Sequence, residues 1–172
     1  GHYRSQLNYS TDNLTQARAS LERIYTALRG VNINLDFVLD RSLSYVQQFC
    51  QAMDDDFNTP QAIAVLFDIA KELNVLKDKA FDSQVSQQIE KLAGTLKTLG
   101  GVIGILQLEP ESFLQGHNNE EEVEVIEALI AQRNQARIDK NWALADEARD
   151  KLNAMNIVLE DSAGKTTWRK NN

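Results

Sequence analysis

Apolar residues recur every three or four positions through most of this chain, the spacing that gives a helix one hydrophobic face. Leu14, Ala17, Leu21, Ile24 and Leu28 form the first stripe. It predicts a helix from Thr11 to Arg29, with Ser10 as N-cap and Gly30 as the stop. A second helix is predicted from Leu39 to Met53, with Leu43, Val46, Phe49, Cys50 and Met53 inward. A third opens at Pro60, capped by Asn58 or Thr59, and reaches Lys77. Its inward residues are Ile63, Leu66, Ile69, Ala70, Leu73 and Leu76. A fourth runs from Asp82 to Leu99 with Val85, Ile89, Leu92, Leu96 and Leu99 on one side, and Gly100-Gly101 ends it. Four amphipathic helices with short loops predict an antiparallel bundle.

The pattern then changes. Residues 101–119 read as a connection in which Pro110 starts a short helical turn and 116–119 form a polar loop. Glu121 to Lys140 reads as a helix with Val123, Ile126, Leu129, Ile130 and Arg133 along one side. Asn141 caps another, Trp142 to Met155, with Leu144, Ala145, Ala148 and Leu152 inward and Asn156 as its stop. Ile157–Glu160 and Thr166–Arg169 are β-prone and flank a Ser162–Gly164 turn, a terminal β-hairpin. The expected fold is therefore mainly α. Residues 1–109 form an antiparallel helical bundle, 110–119 a linker, and 120–172 a small α+β domain ending in the hairpin.

Composition adds limits. With two prolines and eight glycines in 172 residues, long helices meet few interruptions. No run approaches the roughly 20 apolar residues of a membrane span, and no basic, apolar leader is visible. The start at Gly1 rather than Met suggests a piece of a longer protein. Cys50 stands alone, which rules out an internal disulfide, suits a reducing cytoplasm, and points to a buried small hydrophobe rather than a nucleophile. His2 and His117 are far apart and give metal binding little support.

The net charge of −7 argues against indiscriminate nucleic-acid binding, but the charge is uneven. Residues 120–132 carry five Glu and no Lys or Arg, whereas 133–172 carry eight Lys/Arg against six Asp/Glu. Contact with a polyanion is expected in those last forty residues.

Arg133, Arg137 and Lys140 fall at spacings of four and three and share a helix face, with Trp142 at the following corner and Asp146 one turn beyond. Guanidinium groups suit phosphates or base edges, an indole suits stacking, and a carboxylate accepts from a base N–H. The competing reading makes Trp142 a core residue and the charges a solvated face. Trp168, beside Lys165, Arg169 and Lys170, either edges the same surface or covers the small domain's core. The Asp54-Asp55-Asp56 run reads better as solvation and helix N-terminal electrostatics than as a cation site, because no shaped loop follows it. No phosphate-cradling glycine loop, nucleophile–base pair or zinc spacing is present, so the chain shows no self-contained active site.

Several strings together resemble one family. His2-Tyr3-Arg4-Ser5 with Leu7-Asn8-Tyr9-Ser10 resembles the segment that opens the helical domain of bacterial cysteinyl-tRNA synthetases. Ala52 through Pro60 (AMDDDFNTP) is similar to that family's most recognisable non-catalytic string. Ala136-Arg137, Lys140, Trp142, Ala145-Asp146 and Arg149 match its C-terminal helices. Ile157 to Asp161, Gly164 and Thr166 to Arg169 match its closing hairpin. The resemblance covers most of the chain. It implies a DALR-type bundle followed by an anticodon-binding domain, in a class I ligase that joins cysteine to its tRNA using ATP. It implies too that Arg137, Trp142 and Asp146 face the anticodon, that Asp161 approaches from the hairpin, and that Lys140, Arg149 and Arg169 are secondary candidates for backbone phosphates. The family's HIGH-like and KMSKS-like ATP signatures and its zinc-held cysteine site lie in an N-terminal part with no match here. No cofactor is therefore expected on these residues, and the expected partners are cysteine tRNA and the enzyme's own catalytic domain. Two other readings stay open, a helical scaffold that docks another protein and the C-terminal part of a related cysteine ligase acting on a small molecule.

Overall fold

The computed structural model describes residue 4 and residues 9–34, 36–79, 82–116, 120–162 and 165–171. His2, Tyr3, Ser5, Leu7, Asn8, His117 and Gly164, used in the sequence reading, lie outside the described residues. The chain divides into two compact units, Gly1–Pro110 and Glu111–Asn172.

The first unit is helical. Helix α1 (Thr11–Leu28) starts as expected, with the Ser10 hydroxyl accepting from the Asn13 N–H at 3.2 Å, and Gly30 follows its end at φ 71°. Of its stripe only Ile24 and Leu28 are buried, joined by Tyr25 and Ala27 in the C-terminal half. Leu14 and Ala17, expected inward, are exposed, and the buried residues of α1 all lie in its last two turns. Helix α2 (Ser44–Asp54) begins five residues later than predicted. The Asp40 carboxylate accepts from the Ser42 N–H at 2.9 Å and Ser42 Oγ at 2.6 Å, and pairs with Lys91 at 2.7 Å. This side-chain turn competes with helix and holds residues 40–42 out of it. Val46, Phe49 and Ala52 are the buried face of α2, so Cys50, expected to be buried, lies off that face and is exposed.

Helix α3 (Thr59–Lys77) is capped by Asn58, whose side-chain oxygen accepts from the Gln61 N–H at 3.3 Å, and has Pro60 in its first turn. It runs through the centre, burying Ala62, Val65, Leu66, Ile69, Ala70, Leu73 and Leu76 against α1, α2 and α4. The acidic run is not at a helix N-terminus. Asp54 closes α2, Asp55 is its C-cap, and Asp56 and Phe57 make the corner to α3 at φ 52° each. Helix α4 (Ser83–Val102) continues through Gly100-Gly101 rather than stopping there. A Cβ on Gly100 would come within 2.6 Å of Leu106, so the glycine admits a close side chain without breaking the helix. The stop is Gly104 at φ 79°, where the Ile105 N–H returns to the Gly100 carbonyl at 2.9 Å.

A short helix, α5 (Pro110–Gln115), lies at the division. The second unit holds α6 (Glu120–Ile138), α7 (Trp142–Ala154) and the antiparallel strands β1 (Ile157–Ser162) and β2 (Lys165–Lys170). Its core is Ile126, Ile130, Leu152, Ile157 and Trp168. Trp168 is 1% exposed, and its indole N–H donates to Glu127 at 2.8 Å. It is thus the core-covering residue that one sequence reading allowed. Among the described residues no helix is long and apolar enough to cross a membrane.

Candidate nucleic-acid interface

Helix α6 ends in a motif that places its cationic face. The Asn141 N–H returns to the Ala136 carbonyl at 2.8 Å and the Lys140 N–H to that of Arg137 at 3.2 Å, with Lys140 at φ 58°. This pattern normally uses glycine at the left-handed position. The Asn141 side chain then accepts from the Leu144 N–H at 3.3 Å and starts α7 within three residues.

Two groups of candidate residues result. On α7, Trp142, Asp146 and Arg149 fall at spacings of four and three and share one face. Trp142 is 62% exposed, which settles its local environment against the core reading. Asp146 and Arg149 pair at 3.1 Å with both side chains exposed, an arrangement worth little in water and easily exchanged for another partner.

The second group joins α6 to the hairpin. In the strand register Asp161 lies opposite Thr166 on the face that also carries Leu159 and the buried Trp168. There its carboxylate meets the arginines of α6. Oδ1 accepts from Arg133 Nη1 at 3.2 Å and from the Thr166 hydroxyl at 2.8 Å. Oδ2 accepts from Arg133 Nη2 at 2.8 Å and from Arg137 Nη1 at 3.2 Å. Asn134 completes the cluster, accepting from Arg133 at 3.2 Å and donating to the Thr166 hydroxyl at 3.3 Å. The Arg133 bonds first, then Thr166 and Arg137, hold the Asp161 carboxyl well below the usual carboxylate range.

The secondary candidates separate. Lys140 is exposed at the α6–α7 corner. Arg169 belongs to the opposite face of the hairpin, paired with Glu160 at 3.1 Å, and does not join the Asp161 cluster. The sequence reading placed Arg133 on the cationic face with Arg137 and Lys140 but named no partner for it, and it did not single out Asn134 or Thr166 for this site. The available signals were the four-residue step from Arg133 to Arg137 and the position of Thr166 across the turn from Asp161. Among the described residues no group of three or more His, Cys, Asp or Glu side chains is placed to hold a metal ion.

Both units match known domain families. Residues 48–107 match the DALR domain, and residues 120–169 match the cysteinyl-tRNA ligase anticodon binding domain. The chain belongs to the cysteinyl-tRNA ligase family through these two domains. It is 71% identical over 170 residues to a protein named Cysteine--tRNA ligase from Colwellia psychrerythraea (strain 34H / ATCC BAA-681), covering 99% of this chain. It is 61% identical over 170 residues to the protein of that name from Pseudoalteromonas translucida (strain TAC 125), again over 99% of the chain. For Actinobacillus pleuropneumoniae serotype 5b (strain L20) the identity is 56% over 169 residues and 98% of the chain. The chain spans about a third of the length of these ligases, 35% in the first case. All seven candidate residues of the anticodon reading lie inside the matched anticodon-binding domain.

Proposed function

We propose that this chain is the anticodon-reading region of a cysteine–tRNA ligase, whose catalytic domain uses ATP to charge cysteine tRNA in the cytoplasm. Residues 1–109 serve as the DALR-type bundle, 110–119 as the linker and 120–172 as the anticodon-binding domain. ATP and zinc belong to the catalytic part, and no step is assigned to them on these residues. The observation that carries the reading is the exposed Trp142 ring in a domain of this family, beside Asp146 and Arg149 on one helix face. An unpaired anticodon base stacks on the indole, while Arg137 and the Asp146 carboxylate meet base edges, Asp161 stands beside Arg137 from the hairpin, and Lys140 and Arg149 lie near phosphates. Hydrophobic residues exposed on the first unit, Leu14, Val38, Phe57 and Val102 among them, suit docking against the catalytic domain of the same enzyme.

The test is titration of the 172-residue chain with cysteine tRNA and with a tRNA of altered anticodon. Wild type should prefer the matched anticodon. Trp142→Ala should weaken binding by about 1–3 kcal/mol, the usual worth of a stacked base. Equal affinity for both tRNAs, or full affinity in a folded Trp142→Ala chain, refutes base reading at this surface.

A further inference from the structure

The Asp161 carboxylate, which the family resemblance offers as a contact to the anticodon, is already saturated. Each of its oxygens accepts two hydrogen bonds, and three of the four donors come from arginines of α6. The two arginines are not equivalent. Arg133 grips both oxygens in the planar fork that matches a carboxylate, and its side chain is only 12% exposed. Arg137 touches one oxygen through one nitrogen, at the longer distance of 3.2 Å, and its side chain is 49% exposed. Among the described residues Asp161 is the side chain that Arg137 engages, so the guanidinium is tethered at one corner and most of its five N–H donors are not used by that contact.

We infer that Arg133 is a positioning residue for base recognition: by occupying Asp161 bidentately, it leaves Arg137 a single tether and aims that guanidinium's remaining donors outward. Asp161 in this arrangement is the anchor of a reader. Thr166 and Asn134 hold the anchor from the strand side, with Thr166 donating to Asp161 and Asn134 bridging Thr166 to Arg133. Without Arg133, the carboxylate is free to take Arg137 in its own bidentate grip and withdraw the donors that a base edge needs. The charges agree with this assignment. Arg133 is neutralised and largely covered, so it adds little to phosphate attraction, whereas Arg137 is half exposed. The inference rests on the anticodon-reading function proposed above and assigns the orientation of one of its readers.

The experiment uses the 172-residue chain, a cysteine tRNA transcript, and transcripts altered singly at each anticodon position. Arg133→Met should lower discrimination at one anticodon position by roughly tenfold, within the range for one arginine–base pairing. Its salt dependence of binding should match wild type. Arg133→Lys keeps the charge but lacks the fork, and should restore only part of the discrimination. Full discrimination in a folded Arg133→Met chain overturns the inference. So does intact discrimination with a salt slope lower by about 0.7, the mark of a lost phosphate contact to a single strand. Should Arg133→Met fail to fold, Thr166→Val removes one hydroxyl bond to Asp161 and leaves both arginines. Lost discrimination there supports the anchor and unchanged discrimination overturns it. If wild type itself does not discriminate, the proposed function fails and the tether is judged without RNA. The Arg137 Nε–Hε resonance should move in the Arg133→Met chain, and an unmoved resonance overturns the inference.

Discussion

The two tryptophans of this chain sit in the second unit and have opposite surroundings, which makes a sharp prediction about stability. Both report by fluorescence on that unit alone, so urea unfolding can be read there without interference from the bundle. Trp168→Phe removes an indole N–H that donates to the Glu127 carboxylate at 2.8 Å. Hydrogen bonds to charged groups contribute about 1.5–3 kcal/mol, and Glu127 is itself exposed and can be rehydrated, so the low end applies. The smaller ring also leaves about 40 Å³ empty in a site that is 1% exposed. At about 24 cal/mol per Å³ that void costs about 1 kcal/mol. The expected total is about 2–3 kcal/mol, seen as a lower urea midpoint with the slope unchanged. Trp142→Phe removes the edge of a ring that is 62% exposed and should shift stability by no more than about 0.5 kcal/mol. Equal midpoints for the two variants, or a larger loss for Trp142→Phe, would refute the assignment of one ring to the core and the other to the surface.

Two further outcomes follow from particular contacts. The ordinary Asp161 pKa of 3.8 is lowered in the fold, so the unfolded chain binds the proton more readily. The stability this carboxylate contributes is then fully present above about pH 4 and is lost as pH falls toward the folded value. Tryptophan-detected unfolding should therefore lose stability more steeply below pH 4 in wild type than in Asp161→Asn, and parallel acid limbs would contradict the ion-pair account. In the bundle, a Cβ on Gly94 would lie 2.5 Å from the Phe37 ring, whereas one on Gly101 meets only the end of the Gln107 side chain at 3.6 Å. Gly94→Ala should cost about 1–3 kcal/mol by overpacking, and Gly101→Ala should gain up to about 1 kcal/mol from helix propensity, both measured by far-UV circular dichroism during thermal unfolding.

The helices were legible because an apolar stripe at helical spacing needs only local sequence to be seen. The deviations have local competitors or distant causes. Asp40 and Ser42 offered the backbone a turn in place of helix, which delayed α2. Gly100 looked like a stop until Leu106 was seen to use the space a side chain would fill. Leu14 and Ala17 have the stripe's spacing yet lie exposed, and spacing alone does not reveal whether a face is covered. At the candidate site the same division holds. The shared face of Trp142, Asp146 and Arg149 follows from helical geometry. The arginine partners of Asp161 lie 24 and 28 residues away and depend on how the hairpin is registered against α6. No local pattern distinguished Trp168, which lies on the inward side of that register, from Trp142, which starts a helix at a corner.

That register also explains how an acidic chain presents cationic groups at one corner. Helix α6 meets the inward face of the hairpin at three levels. Glu122 pairs with Lys170 at 2.8 Å, Glu127 accepts from Trp168, and Arg133 with Asn134 engages Asp161 and Thr166. The order along α6 is the reverse of that along β2, so the strand runs antiparallel to the helix. The glutamates in the first turn of α6 stand where the helix dipole favours anions; Glu122 among them pairs with the hairpin's Lys170, and Glu127, two turns in, takes the Trp168 indole N–H. The arginines come towards the other end, Arg137 in the last turn where the dipole favours cations, and one carboxylate between them reduces their mutual repulsion. Reversing the two ends would set glutamates against Asp161 and arginines against Lys170, so the uneven charge along residues 120–140 favours the observed direction of the hairpin and sets the half-exposed Arg137 guanidinium at its far end.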